Sequence, residues 1–187
     1  MSLLVGMYLD LNSIRDEIME NNYTKYKTYA ELKNLANIHN PSDFGRVNQA
    51  LLSIAFQKAG FFVSHFQGTG RPDFIADRNG ESYAIEVKAP VSEKVSLTKD
   101  DMTGVEMRGH KPLLAILTYP SPESRWLFIE TSKLSPKVYP KNIIERFSII
   151  DLENQISPCF LSAIEEHKEK AEIGASSLQS LVESKSK

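Results

Sequence analysis

The spacing of apolar and polar residues along the chain predicts helices first, strands next and helices again at the end. In the first forty residues Leu11, Ile14 and Ile18 recur at helical spacing. A second helix is predicted to start at Thr28, where Glu31 three residues later completes a capping box. The pattern therefore predicts two short helices that extend the N-terminal end of the domain.

The middle of the chain changes from a helical period to a strand period. A helix is predicted over residues 43–59, where apolar side chains follow Pro41 at helical spacing and Gly60 ends the pattern. The later apolar runs predict strands at 61–66, 74–76, 83–87, 113–118 and 126–129, with a weak helix over 97–108. The expected order is helix, three strands, helix and two strands.

Apolar residues return to helical spacing between Phe160 and Val182, in a charged and serine-rich segment. We interpret this segment as a C-terminal helical appendage that frays. The chain is accordingly divided into a helical N-terminal extension over residues 1–41, an α/β core over 42–150 and a C-terminal helical appendage over 151–187.

Composition narrows the class of protein. The 187 residues, 41% hydrophobic and 25% charged, are typical of one folded domain. No apolar run is long enough to cross a membrane, and no signal peptide is predicted. The single Cys159 excludes an internal disulfide and a zinc finger, and it indicates a reducing, cytoplasmic location. Because the net charge is −2, attraction to nucleic acid would need a local basic patch.

A hairpin can be placed in register from the sequence. Asn79-Gly80 between two apolar runs predicts a two-residue turn, because both positions of a type I′ turn need positive φ. This register places Asp73 directly opposite Glu86, and Lys88 follows on the same face. The neighbouring residues of the opposite face are the apolar Phe74, Ala76, Tyr83, Ile85 and Val87.

Two adjacent carboxylates on an apolar sheet repel each other, and a divalent metal is the simplest compensation. Mg²⁺ prefers oxygen ligands and is usually held by one or two carboxylates, water and substrate phosphate. A nearby lysine could orient or deprotonate an attacking water. The predicted reaction class is phosphodiester hydrolysis, and the alternative is an exposed, salt-bridged hairpin. Glu-x-Lys also occurs at 31–33, 166–168 and 183–185, where it fits a solvated helix face or the tail.

Pro72-Asp73, followed thirteen residues later by Glu86-Val87-Lys88, resembles the signature of the PD-(D/E)xK nuclease superfamily. The resemblance covers residues 42–131, where the order of the elements is similar to that of archaeal-type Holliday-junction resolvases. It implies an α/β protein with a restriction-endonuclease-like core, in the order α-β-β-β-α-β with a mixed central sheet, and helical extensions at both ends.

The resemblance also implies roles for individual residues. Asp73 and Glu86 would bind Mg²⁺, which Mn²⁺ could replace, with help from the Val87 carbonyl. Lys88 would position the nucleophilic water. Gln49 occupies the place where such resolvases carry a glutamate in the first helix, so it joins the catalytic set with an amide oxygen. Asp43 or Glu31 could supply the missing charge instead.

The expected partner is DNA, hydrolysed by a metal-dependent endonuclease of resolvase or restriction type. A basic rim is predicted from Arg71, Lys99, Arg108 and Lys111. The alternatives are a catalytically silent nucleic-acid-binding or assembly module on the same fold, and a subunit of a heteromeric restriction endonuclease. A homodimer would be the simplest way to cut both strands of a duplex. Its interface could be formed by the N-terminal helices or by the segment from Phe160 to Val182. The four histidines have no metal-ligand spacing.

Overall fold

The fold is an α/β arrangement built on a mixed central sheet. The computed structural model describes the backbone of residues 2–65 and 70–184, and the side chains of these residues except 2–17, 21, 183 and 184. Its strands are β1 (Phe62–His65), β2 (Phe74–Arg78), β3 (Glu81–Lys88), β4 (Lys94–Ser96), β5 (Lys111–Leu117), β6 (Trp126–Glu130) and β7 (Val138–Pro140). Its helices are α1 (Ser2–Ile38), α2 (Pro41–Lys58), α3 (Lys99–Thr103), α4 (Lys141–Ile144), α5 (Ile150–Glu166), α6 (Lys168–Ile173) and α7 (Ala175–Ser184).

The five-stranded sheet has the order β1-β2-β3-β5-β6, in which β3 and β5 are parallel and the other neighbours are antiparallel. This arrangement confirms the predicted α-β-β-β-α-β core with a mixed sheet and helices at both ends. Phe74 pairs with Ile85 and Arg78 with Glu81, so the predicted hairpin register is also confirmed. Residues 66–69, where the first strand was expected to end, lie outside the described residues.

Apolar side chains cover both faces of the sheet, which explains the nearly continuous apolar runs of β5 and β6. One face joins the main core, where Phe74, Ile85 and Phe128 meet Phe56 of α2. The other face carries two smaller apolar clusters, one around Leu114 and Leu127 and one around Ile75, Ala84 and Val105. Residues of β3 with even numbers therefore face the second layer, which contains α3.

The N-terminal region forms one helix where two were predicted. Helix α1 runs without a break from Ser2 to Ile38, because no glycine or proline occurs between Gly6 and Pro41 to stop it. The break between α1 and α2 is well defined. The Asn40 side chain accepts hydrogen bonds from the backbone N–H groups of Ser42 and Asp43, which caps α2.

The C-terminal helices pack into the main core. Phe160 of α5 and Leu178 of α7 are almost completely buried, and both helices contact α2. The segment from Phe160 to Val182 therefore uses its apolar face inside its own domain. The three-part division of the chain at residues 41 and 150 stays a prediction.

The connection between β3 and β5 differs from the expectation. The predicted helix over 97–108 is reduced to α3, which spans only Lys99–Thr103. Ahead of it, β4 pairs with β7 in a small antiparallel sheet that the sequence did not predict. Strands of three residues are too short to show a period. Among the described residues, no helix is both long and apolar enough to cross a membrane.

Candidate functional site

The hairpin of β2 and β3 brings Asp73 and Glu86 together. Its turn contains Asn79 with φ 48° and Gly80 with φ 85°, the positive angles that a type I′ turn requires. At the open end, the Asp73 N–H donates to the carbonyl of Ile85 at 2.9 Å, and the regular pairing of the two strands ends at Phe74 and Ile85. The two carboxyls lie close enough for the charge of Asp73 to act on Glu86, while the direct cross-strand pair of Asp73 with Glu86 stays a prediction.

The carboxylate of Asp73 is held by two donors. The Gln49 side-chain amide donates to Oδ1 at 2.9 Å, and the Val87 backbone N–H donates to Oδ2 at 2.7 Å. Helix α2 lies across the main-core face of the sheet and presents Gln49 at the end of the hairpin. Gln49 thus belongs to this site, where its amide orients Asp73.

Lys88 lies between two carboxylates. Its ammonium group donates to Glu86 at 2.9 Å and to Asp101 at 2.8 Å. Asp101 is fixed by a capping box at the start of α3, since its Oδ2 accepts from the Thr98 N–H while its own N–H donates to the Thr98 hydroxyl. Asp101 was not predicted as a site residue, and its side chain is only 13% exposed.

Burial and mutual repulsion favour the protonated state of the two hairpin carboxyls. Removal from water raises the pKa of Glu86 to about 7, and the negative charge of Asp73 adds to this increase. The pKa of Asp73 is also raised by burial, although the Val87 N–H, Lys88 and Gln49 partly oppose the change. At neutral pH the Glu86 carboxyl is therefore close to its pKa, and it gains and loses a proton readily.

The pKa values of Lys88 and Asp101 are both shifted so that the charged forms are favoured. Burial alone would lower the pKa of Lys88, but its hydrogen bonds to Asp101 and Glu86 outweigh burial and raise it. Burial likewise opposes ionisation of Asp101, yet the bonds from Lys88 and Thr98 lower its pKa. Lys88 and Asp101 thus form a stable ion pair beside the proton-exchanging carboxyls.

The charge of the cluster fits a divalent cation. When Asp73, Glu86 and Asp101 are all ionised, Lys88 neutralises one of three negative charges and two remain. In the described part of the chain, no group of three or more His, Cys, Asp or Glu side chains is arranged to hold a metal ion by itself. Two carboxylates completed by water and phosphate oxygens are a usual Mg²⁺ environment, and Asp73 and Glu86 provide such a pair.

The other acids suggested by the sequence are engaged elsewhere. Asp43 accepts hydrogen bonds from Asn40 and Arg46 near the start of α2. Glu31 forms a salt bridge with Lys168 of α6. The third carboxylate of the cluster is therefore Asp101, which reaches the site from α3 in the second layer.

The four residues of the predicted basic rim are all exposed, at different distances from the cluster. Arg71 lies two residues before Asp73, on backbone that packs against Gly104 just after α3. Lys99 is the first residue of α3. Lys111 pairs with Tyr83, five residues before Lys88 on β3 and thus roughly 16 Å from it along the strand.

Arg108 lies in the loop that leads to β5. A nucleic-acid-binding role for these four residues stays a prediction. Two of the histidines make ordinary hydrogen bonds. His39 bonds the Ala171 carbonyl, and His110 bonds Ser82.

A cleft of about 390 Å³ opens beside the cluster. Its walls come from the first turns of α2, from the end of β3 with the residues after it, and from β4. The residues that line it are Pro41, Ser42, Gly45, Arg46, Gln49, Val87, Lys88, Ala89, Pro90, Val95 and Ser96. The cleft was not expected from the sequence, because its walls join segments that are far apart along the chain.

A local sequence signal for Asp101 does exist. Thr98-x-x-Asp101 matches a capping box with aspartate in the last position. That signal predicts a helix start but gives no information about which strand the helix packs against. The proximity of Asp101 to Lys88 depends on the packing of α3 on the sheet, which the spacing of residues along the chain does not encode.

No protein-family model matches the sequence, and no curated protein sequence matches it either. Among solved structures, the chain is similar to Hjc of Archaeoglobus fulgidus, a Holliday junction resolvase from an archaeal hyperthermophile. The match has 20% identity and a TM-score of 0.43, and it covers 52% of this chain and 85% of that chain.

Proposed function

We propose that this protein is a Mg²⁺-dependent nuclease that hydrolyses phosphodiester bonds in DNA. The observation that carries the proposal is the half-buried cluster of Asp73, Glu86 and Asp101 beside the ammonium of Lys88, which carries two uncompensated negative charges when all three carboxyls are ionised. Such a cluster is unfavourable unless a cation binds to it. Lys88 supplies in addition a positive charge for a substrate phosphate.

Each residue has a separate task in this proposal. Asp73 and Glu86 would hold the metal, with the Val87 carbonyl as a further oxygen ligand, while Gln49 and the Val87 N–H keep Asp73 oriented. The metal would act as a Lewis acid on the phosphate and lower the pKa of a bound water. Lys88 remains an ammonium at neutral pH, so its task is to orient the water and stabilise negative charge, with Asp101 as its anchor.

The test is cleavage of a panel of plasmid, linear duplex, single-stranded and four-way-junction DNA, with Mg²⁺, Mn²⁺ or EDTA. Wild type should cleave only with metal, and Asp73→Asn should abolish cleavage because it removes one charged ligand. Asparagine retains an oxygen that can accept from the Val87 N–H, so the melting temperature should stay near that of wild type.

The matched control is Asp77→Asn in the same hairpin, where Asp77 bonds Ser82 outside the cluster. This variant should cleave like wild type. Full activity of Asp73→Asn would refute the proposed metal site. DNA binding without cleavage by wild type would favour the catalytically silent module or a subunit that needs its partner.

A homodimer remains part of the proposal. The segment from Phe160 to Val182 packs inside its own domain, so it offers no apolar face for a second copy. On α1, Ile18, Met19 and Tyr23 are more than half exposed, which leaves that helix as the interface candidate. Light scattering of the purified protein would give its oligomeric state directly.

A further inference from the structure

Gly45 occupies a position where neither the backbone nor the packing requires glycine. It lies inside α2, and it is not among the residues with positive φ. A Cβ atom built on Gly45 would have no heavy atom within 4 Å outside its own helix surroundings. Glycine in a helix is less stable than alanine because it loses more backbone entropy on folding. The stability of α2 therefore gives no reason for glycine here.

The position of Gly45 provides a different reason. Gly45 lies on the wall of the cleft, one helical turn before Gln49 and beside Arg46. The facing wall is formed by the chain around Ala89 and Pro90. A side chain at position 45 would project into this space, because Gly45 is itself part of the lining. Glycine thus keeps the cleft open next to the cluster.

The lining has the chemistry of an anion site. Its residues include no carboxylate and one cation that is open to a ligand, Arg46, while the ammonium of Lys88 already donates to Glu86 and Asp101. Arg46 is 67% exposed, and its bond to Asp43 at 2.9 Å joins two solvated side chains. Such an ion pair contributes little in water, so Arg46 can turn to a ligand at small cost. No aromatic residue lines the cleft, which disfavours stacking of a base.

We propose that this cleft binds one sugar-phosphate unit of the DNA strand beside the bond that is cut, with Arg46 on its phosphate and Gly45 against its backbone. The inference rests on the proposed function, and it adds a second phosphate site to it. The volume of the cleft, about 390 Å³, is at the small end of ligand pockets and suits one nucleotide unit. The cleft is too small for a whole duplex, so only one unit of a strand's outer backbone fits in it.

Binding tests the inference without relying on cleavage. The probes are a fluorescein-labelled single strand and a labelled duplex with a single-stranded branch, measured by anisotropy in EDTA. Gly45→Ala should raise the melting temperature yet weaken binding, and Gly45→Leu should weaken binding by about tenfold or more. Arg46→Ala should also weaken it about tenfold. Lys58→Ala, which removes an ion-paired cation at the far end of α2, should bind like wild type.

Equal binding by wild type, Gly45→Ala and Arg46→Ala would overturn the inference, even if Gly45→Leu failed to fold. A substrate with one neutral methylphosphonate next to the cleaved bond gives a second readout. Wild type should lose about tenfold in cleavage rate on it, whereas Arg46→Ala should lose little more than it has already lost. If cleavage is normal and this coupling is missing, the cleft site is wrong and the nuclease stands. If nothing is cleaved but the graded loss of binding is found, the site stands and the nuclease is wrong.

Discussion

Lys88 is held between two carboxylates, and this determines its state at neutral pH. The bonds to Asp101 and Glu86 raise the pKa of Lys88 in spite of burial. The sequence allowed two roles for this lysine, to orient the attacking water or to deprotonate it. An ammonium cannot accept a proton, so within the proposed function we expect the orienting role.

We expect Asp101→Asn to lower the rate of DNA cleavage by about tenfold or more, the usual effect of losing a residue that orients a site group. Its cause would be the loss of one of the two anchors of Lys88. The measurement is the pH profile of kcat, whose upper limb should move to lower pH as the pKa of Lys88 falls. The neighbouring, exposed Asp100 provides the control, and Asp100→Asn should leave the profile unchanged. An identical profile for both variants would contradict the anchoring role.

The residues that could be predicted are those whose geometry is local. Asp73, Glu86 and Lys88 belong to one hairpin, and a two-residue turn fixes their register. Gln49 came from a resemblance to a family, and the structure brings it to Asp73. Asp101 was missed because its place in the site depends on how α3 packs on the sheet.

At the scale of elements, the C-terminal helices support the helix that carries Gln49. Helix α7 packs on α2 and buries Leu178 completely. Leu178→Ala should therefore lower the free energy of unfolding by about 2–5 kcal/mol, the range for truncating a buried leucine. Ile173 is 74% exposed, and Ile173→Ala should change the free energy of unfolding by less than about 0.5 kcal/mol. Urea denaturation measures both variants, and equal values would mean that α7 is not part of the folded core.

Elements with a long period could be predicted, and short ones could not. Helix α2 and the five strands of the main sheet follow apolar patterns that extend over several residues. The pairing of β4 with β7 joins segments more than forty residues apart through only three residues each. The capping-box pattern at Thr28 predicts a second helix start, but no glycine or proline separates Thr28 from the helical residues before it, so α1 is continuous.

At the scale of the whole molecule, two buried groups make stability depend on pH in opposite directions. Burial lowers the pKa of Lys141 to about 7, where its amine donates to the carbonyls of Pro90 and Tyr119. Burial also raises the pKa of Glu86 to about 7, from an ordinary value of 4.5. Glu86 thus costs stability as the pH rises from 4.5 to 7, and Lys141 restores stability as the pH rises from 7 to its ordinary value of 10.5.

The two effects together predict a minimum of stability near pH 7 in the metal-free protein. Glu86→Gln should reduce the fall on the acidic side, to which Glu86 contributes at most ~3 kcal/mol before solvent screening is considered, while the raised pKa of Asp73 leaves part of the fall in place. Lys141→Met should abolish the rise on the alkaline side. Melting temperatures measured in EDTA from about pH 5 to about pH 9 would test this. If melting temperature varied with pH in the same way in wild type and in both variants, the two slopes could not be due to Glu86 and Lys141.

Strand β3 carries Glu86 and Lys88 at the centre of the sheet, with β2 on one side and β5 on the other. No small local opening can release this strand, since its ladders on both sides and its packing on both faces would have to break together. The amide hydrogens of β3 should thus be among the last to exchange with deuterium. Heat should then displace Glu86 and Lys88 from the proposed site only when the whole molecule melts.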